Sequence, residues 1–310
     1  MTNLKGKDIL HGNQFFKKDI EAIIKVASNF EKGLKKKDSL TLLKGKILAT
    51  LFYEPSTRTR LSFEAAMQRL GGGVISMGSV ESSSVAKGET LTDTVRTVSQ
   101  YADVIVIRHP RTGSAREAAD AVPIPIINAG DGTGQHPTQA LLDIYTIKKE
   151  LGSLKNLTIS MVGDLKYGRT VHALVELLSL YETRLYFVSP HTLRIPEEIT
   201  SHLKQKGIEI EETEDMMKAA SASDLIYMTR IQKERFTDLS EYEKLKGSYI
   251  INEEFLKKLE KKITILHPLP RVDEISTDVD DYPGAAYFRQ MRNGVFVRMA
   301  LLSMVLGRTP

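Results

Sequence analysis

The sequence contains no cysteine at all. Disulfide bonds, thiolate metal sites and thiol nucleophiles are therefore excluded. No apolar run approaches the roughly 18 residues that are needed to cross a bilayer. The first residues also lack the apolar segment of a signal peptide. These absences lead us to expect a protein of the cytoplasm that has no membrane partner.

Several motifs of nucleotide binding and covalent catalysis are also missing. No G-x-G-x-x-G follows a predicted strand, and there is no P-loop. No two histidines have the His-x-x-x-His spacing, and Ser56 and Ser84 lie outside any G-x-S-x-G elbow. We therefore expect no protein-held metal, no organic cofactor and no covalent intermediate.

The charges that are present are nearly balanced. The 310 residues include 43 basic and 39 acidic side chains, and their net charge is +4. Nucleic-acid binding usually needs a concentrated basic face, so a nucleic-acid partner is not expected. A chain of this length, of which 41% is hydrophobic, is long enough for two globular domains.

Strand patterns alternate with helical patterns along the chain. Such alternation predicts parallel sheets covered by helices on both faces, and the pattern restarts after Gly152. We therefore predict an α/β protein of two doubly wound parallel-sheet domains linked by helices. The segment 297–306 is apolar nearly all round, so we expect a buried helix there that packs back on the first domain. The predicted strands are 47–52, 74–77, 104–107, 125–128, 157–162, 185–188, 208–210, 225–228 and 263–266.

Polar side chains cluster where the predicted strands end. Ligands of parallel sheets bind at these carboxyl ends, where the next helix presents its N-terminus. After strand 47–52, the residues Ser56 to Thr59 offer hydroxyls, a guanidinium and free backbone N–H groups, which suit a phosphate. An N-cap followed by a surface arginine explains the same residues equally well.

Arginines follow five of the predicted strands, at the same topological end. Any one of them could form a structural ion pair. Two unit charges 4 Å apart interact by roughly 4 kcal/mol at an effective dielectric of 20. Several guanidiniums at one edge would therefore repel one another unless anions bind there. We expect a ligand set with several negative charges and a chemistry of positioning and anion stabilisation. The arginines are Arg58, Arg108, Arg169, Arg230 and Arg271.

These motifs resemble a known family. The run Ser56-Thr57-Arg58-Thr59-Arg60 is similar to the carbamoyl phosphate motif of the transcarbamoylases. The runs 163–170, 229–235 and 267–275 resemble the catalytic chains of the aspartate-specific members, and the likeness covers essentially the whole chain. The resemblance implies transfer of a carbamoyl group from carbamoyl phosphate to L-aspartate, in pyrimidine biosynthesis.

The resemblance also implies roles for individual residues and for the two domains. Residues 1–136, completed by the C-terminal helix 293–310, would bind carbamoyl phosphate, and residues 137–292 would bind aspartate. Arg169, Arg230 and Gln232 would hold aspartate together with Lys87. The groups implied for carbamoyl phosphate are Ser56, Thr57, Arg58, Thr59, Arg108, His136, Gln139 and the main chain of Leu269 and Pro270. The reacting groups among all of these would be Arg58, Thr59, Lys87, Arg108 and His136.

Assembly is a further expectation from the resemblance. In the family, a lysine and a loop serine enter the active site of a neighbouring subunit, which implies a homotrimer with shared sites. Here the lysine is Lys87, and the serine is Ser84 or, because the loop is one residue shorter than in the best-known bacterial members, Ser83. The run 166–170 is similar to chains that associate with a zinc-bearing regulatory chain, so such a partner is also considered.

Two other functions agree less well with these residues. A transcarbamoylase for ornithine would favour an acidic pocket over Arg169 and Arg230, and such enzymes carry His-Cys-Leu-Pro where this chain has residues 267–270. A non-catalytic anion-binding protein on the same scaffold would have lost some site residues, yet none of the matched positions is replaced. We therefore favour the aspartate-specific enzyme.

Overall fold

The structure, a computed structural model, describes residues 3–36, 40–77, 84–132, 134–233, 236 and 238–310. The chain forms two compact units. Unit 1 comprises Met1–Tyr145 and Met291–Pro310, and unit 2 comprises Thr146–Gln290. Each unit has its own parallel sheet. The predicted α/β class is confirmed.

Unit 1 has a four-stranded sheet in the order β2-β1-β3-β4. Its three strand pairs are parallel, and the strands in the middle of the order are buried along most of their length. Both of their faces must be covered by helices, which explains their nearly unbroken apolar sequences. The strands are β1 (Ile47–Phe52), β2 (Gly73–Ser76), β3 (Val104–His109) and β4 (Ile126–Asp131). The helices are α1 (Lys17–Leu34), α2 (Thr57–Arg69), α3 (Leu91–Val98), α4 (Ser114–Ala121) and α5 (Pro137–Leu151), which runs into unit 2.

Unit 2 has a five-stranded parallel sheet in the order β7-β6-β5-β8-β9. The strand order reverses direction at β5, which is the mark of a doubly wound sheet. Its strands are β5 (Leu157–Val162), β6 (Thr183–Val188), β7 (Glu209–Thr213), β8 (Leu225–Met228) and β9 (Thr264–Leu266). Its helices are α6 (Arg169–Leu178), α7 (Glu197–Gln205), α8 (Met216–Ala222), α9 (Leu239–Leu245) and α10 (Glu253–Leu259).

The last helix, α11 (Tyr287–Val305), returns the chain to unit 1. Its residues from Phe296 to Val305 are all buried, as the apolar sequence predicted. The Gly6 backbone N–H donates to the Val305 carbonyl at 2.8 Å, so the two ends of the described chain meet in this unit. The prediction that the C-terminal helix packs back on the first domain is confirmed.

Three features differ from the sequence-based expectation, besides shifts of one to three residues at the ends of other strands. Strand β4 continues to Asp131, three residues beyond its predicted end at position 128, because it keeps pairing with β3 beyond a register shift. Helix α11 begins ten residues earlier than the apolar segment did. In the loop that carries Lys87, Ser84–Lys87 forms a single 3₁₀ turn. Across the described residues, no helix combines the length and the apolar character that a membrane span requires.

Candidate functional site

In unit 1, the carboxyl ends of β1, β3 and β4 lie side by side. Phe52 is in register with Arg108, and the next backbone N–H, that of Tyr53, donates to the Arg108 carbonyl at 2.8 Å. At the neighbouring strand end, the Gly132 N–H donates to the His109 carbonyl at 2.9 Å. The polar residues that follow these strands therefore share one edge of the sheet.

The start of α2 supplies the first group of predicted residues. Ser56 occupies the N-cap, with an extended φ of −157°, and its side chain makes no capping hydrogen bond. Thr57 and Arg58 are exposed in the first turn, whereas Thr59 is buried. The first turn of a helix presents backbone N–H groups and a positive dipole end. With two hydroxyls and a guanidinium beside them, these groups suit a phosphate.

Arg108, at the end of β3, is held by unit 1 itself. Its Nη1 donates to the Ala129 carbonyl at 3.4 Å, and its Nε lies 3.4 Å from a carboxylate oxygen of Glu54. The side chain is only 14% exposed, so these contacts fix the direction of the guanidinium. Glu54 was not singled out from the sequence, although its place just before the Ser56 motif was a usable signal.

The turn between β4 and α5 is organised by Asp131, which sequence reasoning also missed. The Asp131 carboxylate accepts hydrogen bonds from the Gly113 N–H at 2.9 Å, the Gln135 N–H at 2.9 Å and the Asn128 amide at 3.1 Å. A buried carboxylate that accepts several hydrogen bonds rigidifies a turn. Asp131 therefore holds the segment that leads to His136.

His136 and Gln139 lie at the start of α5, and both are buried. The Gln139 backbone N–H donates to the His136 carbonyl at 3.0 Å. The Gln139 side-chain amide donates to Asp143, one helical turn later, at 2.9 Å. The structure thus places the predicted groups of α2, β3 and α5 at the ends of neighbouring strands of unit 1.

In unit 2, Arg169 and Arg230 follow neighbouring strands. Arg169 begins α6, after β5, and Arg230 comes two residues after β8. The ends of these strands approach closely: the Thr229 N–H donates to the Val162 carbonyl at 2.8 Å, and the Thr229 hydroxyl donates to it at 3.0 Å. A Cβ at Gly163, whose φ is +116°, would lie 2.2 Å from the Thr229 carbonyl oxygen. Only glycine fits this approach.

The segment after β9 contains Leu269 and Pro270, which are joined by a cis peptide bond. The His267 side chain holds this segment through a hydrogen bond to its backbone. Its Nδ1 accepts from the Leu269 N–H at 2.8 Å, so in the neutral ring Nε2 carries the hydrogen and donates to Glu274 at 2.7 Å. Burial lowers the pKa of His267, and the Glu274 carboxylate opposes that shift only in part. The neutral imidazole is therefore the folded form.

The buried imidazole predicts a loss of stability in mild acid. The unfolded chain binds a proton at this ring below about pH 6.5. The folded chain does not, because the His267 side chain is 1% exposed and its pKa is lowered. The unfolding free energy should fall as the pH drops from about 7 to 5, with a contribution of up to about 1.4 kcal/mol per pH unit from this ring.

Urea unfolding at several pH values measures this slope. His267→Asn should be less stable at neutral pH. Its unfolding free energy should also depend less steeply on pH, by the equivalent of up to one bound proton. His191 is exposed in the same unit, so His191→Asn is the matched control and should keep the original slope. An unchanged slope in His267→Asn would show that the ring is protonated in the folded chain.

The remaining predicted residues are less constrained. Ser84 and Lys87 begin and end the exposed 3₁₀ turn, and Ser83 lies outside the described residues. Gln232 is half-buried, two residues beyond Arg230. Arg271, the fifth strand-end arginine, forms an ion pair with Asp280 and donates to the Tyr287 hydroxyl at 3.1 Å. It is therefore a structural residue rather than part of an anion site.

Together these features define an α/β protein with cationic strand ends in each of two doubly wound units. No group of three or more His, Asp or Glu that could hold a metal ion occurs in the described part of the chain.

Comparison with known proteins gives the family. Residues 7–149 match the family described as aspartate/ornithine carbamoyltransferase, carbamoyl-P binding domain, and residues 155–305 match its Asp/Orn binding domain. The aspartate carbamoyltransferase catalytic subunit of Thermococcus kodakarensis is 56% identical over 303 residues, 98% of each chain. The chain belongs to the aspartate/ornithine carbamoyltransferase family.

Solved structures agree with this assignment. The catalytic subunit of M. jannaschii aspartate transcarbamoylase has a TM-score of 0.92 and 54% identity, over 97% of this chain and 98% of that one. The aspartate transcarbamoylase of Trypanosoma cruzi in complex with carbamoyl phosphate and aspartate has a TM-score of 0.93 and 46% identity, over 98% of both chains.

Proposed function

We propose that this chain transfers the carbamoyl group of carbamoyl phosphate to the amine of L-aspartate. The products are N-carbamoyl-L-aspartate and phosphate, and the reaction is an early step of de novo pyrimidine biosynthesis. The observation that carries the proposal is the placement of Arg169 and Arg230 after neighbouring strands of unit 2. Two guanidiniums at one edge suit the two carboxylates of aspartate. The T. cruzi relative supports the pairing of substrates, because its structure contains carbamoyl phosphate and aspartate.

Carbamoyl phosphate would be bound mainly by the strand ends of unit 1. Ser56, Thr57 and Arg58 would hold the phosphate at the start of α2. Gln139 and the main chain of Leu269 and Pro270 would contact the carbamoyl group. In domain terms, residues 1–136 with 293–310 would bind carbamoyl phosphate and residues 137–292 would bind aspartate. Gln232 and Lys87 would assist Arg169 and Arg230.

The chemistry needs positioned charge rather than a covalent intermediate. The neutral amine of aspartate attacks the carbamoyl carbon, negative charge grows on the carbonyl oxygen, and phosphate leaves. Thr59, Arg108 and His136 would donate to that oxygen, and removal of one such donor typically costs 10²–10³ in rate. Arg58 and Lys87 would balance the charge of the departing phosphate. The contacts of Arg108 with Ala129 and Glu54 support this role, since a preorganised donor needs no reorientation during the reaction.

The choice of amine tests the proposal. Purified protein should carbamoylate L-aspartate at least about 10³ times more efficiently than L-ornithine, because a cationic side chain would meet two guanidiniums in place of carboxylate partners. Both products can be separated and quantified from parallel reactions with the same carbamoyl phosphate. A preference for ornithine would overturn the aspartate assignment, and no transfer to either amine would overturn the reaction itself.

The assembly is also a proposal. We infer a homotrimer in which Lys87 and either Ser84 or Ser83 enter the site of a neighbouring subunit. The exposure of Ser84 and Lys87 supports this, because both side chains are accessible from outside unit 1. We also propose a zinc-bearing regulatory chain as a partner. The mass of the native complex distinguishes the two states: three chains indicate a free trimer, and a larger mass with a smaller companion chain indicates a regulated assembly. The cytoplasmic location stays a prediction from the sequence.

A further inference from the structure

A buried carboxylate sets the orientation of the Gln139 amide. Asp143 is fully buried and accepts a hydrogen bond from Gln139 Nε2 at 2.9 Å. An ionised carboxylate can only accept hydrogen bonds, so the nitrogen end of the amide must face it. The carbonyl oxygen is then the end that Asp143 does not engage, and it presents an acceptor to a ligand.

A buried arginine of α11 accompanies this carboxylate. Arg298 is 3% exposed and lies in unit 1 with Asp143. Burial lowers the pKa of Arg298 to about 10, and the charge of Asp143 opposes that shift. The guanidinium therefore stays protonated at neutral pH and attracts the carboxylate. A buried charge needs such a partner, because desolvation of an isolated ion is costly.

Contacts with α2 fix the position of the Arg298 guanidinium. Its Nη1 donates to the Ser62 hydroxyl on α2 at 2.8 Å, and its Cζ lies 5.0 Å from the centre of the Phe63 ring. On α11, a Cβ at Gly294 would lie 2.5 Å from the same Nη1 and 3.1 Å from Leu142 of α5. The glycine thus leaves the space in which the guanidinium sits. The first turn of α2 carries Thr57, Arg58 and Thr59, and the first turn of α5 carries Gln139.

We propose that Asp143 and Arg298 are positioning residues for the carbamoyl donor. The Asp143 carboxylate holds the Gln139 amide with its oxygen toward the NH₂ group of carbamoyl phosphate, and the charge of Arg298 helps to keep that carboxylate in place. The inference rests on the proposed function. The oriented amide should give the site a binding preference. A donor whose acyl carbon carries NH₂ should bind more tightly than one whose acyl carbon carries CH₃.

Acetyl phosphate tests this preference, because it replaces the NH₂ of carbamoyl phosphate with a methyl group of similar size. Dissociation constants for carbamoyl phosphate are measured by calorimetry without aspartate, and acetyl phosphate is measured by displacement. The wild-type protein should prefer carbamoyl phosphate. Gln139→Met, which removes the amide, and Arg298→Met, which removes the charge, should each reduce that preference by about tenfold, the usual worth of one hydrogen bond.

Arg298→Lys is the matched control, since it keeps a positive charge and should keep most of the preference. A purely structural role predicts that Arg298→Met weakens both ligands equally, and an unchanged ratio would overturn the proposal. If Arg298→Met does not fold, the charge-neutral pair Asp143→Asn with Arg298→Met takes its place, and it should lose the preference as well. An unchanged ratio in that pair would also overturn the proposal. The proposed function itself is tested separately. If it is wrong, the wild-type protein will transfer no carbamoyl group, whatever the binding ratios of the variants.

Discussion

Replacement of Arg58 by alanine should lower kcat for carbamoyl transfer by roughly 10³-fold and leave the fold intact. The side chain is exposed in the first turn of α2, so its removal creates no cavity. A guanidinium at this place would form charge-assisted hydrogen bonds to the phosphate, and these strengthen as negative charge builds on the leaving group. Loss of one preorganised donor costs 10²–10³ in rate, and loss of a full charge lies at the upper end.

The comparison needs a second arginine on the same helix. Arg69 is the last residue of α2 and is also exposed, so Arg69→Ala removes the same side chain far from the strand ends. It should leave kcat within about twofold, because surface substitutions rarely matter by more than about 0.5 kcal/mol. Steady-state kinetics and thermal unfolding of both variants decide the matter. Near-normal turnover in Arg58→Ala would contradict the phosphate role.

Replacement of Arg230 by alanine should reduce kcat/KM for aspartate by roughly 10²–10³-fold. The expected loss is that of one charge-assisted pair with a substrate carboxylate, which truncation experiments place at about 2–5 kcal/mol. The dissociation constant of carbamoyl phosphate should change little, because the phosphate-binding groups proposed lie in unit 1. Arg230→Lys should recover only part of the loss, since an ammonium cannot match a carboxylate in a bidentate manner.

Arg194 offers the control for this variant. It is an exposed arginine of the same unit, in the segment between β6 and α7. Arg194→Ala should leave kcat/KM for aspartate and the dissociation constant of carbamoyl phosphate unchanged. A fall in carbamoyl phosphate affinity that equals the fall for aspartate in Arg230→Ala would show that the side chain acts on the structure of the site rather than on the amino acid.

The apolar pattern was sufficient to place the sheets and most of the strand ends. It failed where polar residues continue a regular element. Gly130 made the end of β4 resemble a loop, yet pairing with β3 carries the strand to Asp131, because tertiary hydrogen bonds override weak local preferences. The first turns of α11 are polar and were missed for a similar reason: Arg289 pairs with Glu150, and Gln290 accepts from the His267 N–H.

The residues around the site differ in how well the sequence reveals them. Strand-end arginines stand out because the topology of a parallel sheet gives their position a meaning. Supporting residues carry no such sign. Asp131, Asp143 and Glu274 look like ordinary acidic residues, and only their burial and hydrogen bonds distinguish them. Arg271 shows the opposite failure, since its position suggested a ligand but its partner is Asp280.

Unit 1 is built from two separate segments of the chain, and this sets an order for folding during synthesis. Unit 2 is one continuous segment, Thr146–Gln290, whereas unit 1 joins the beginning of the chain to Met291–Pro310. The buried face of α11 is part of the core of unit 1, so this core stays incomplete until the last helix has left the ribosome. Domains usually fold from the N-terminus onward as they emerge. Unit 1 therefore begins to emerge before unit 2 but completes its core after unit 2 has been synthesised.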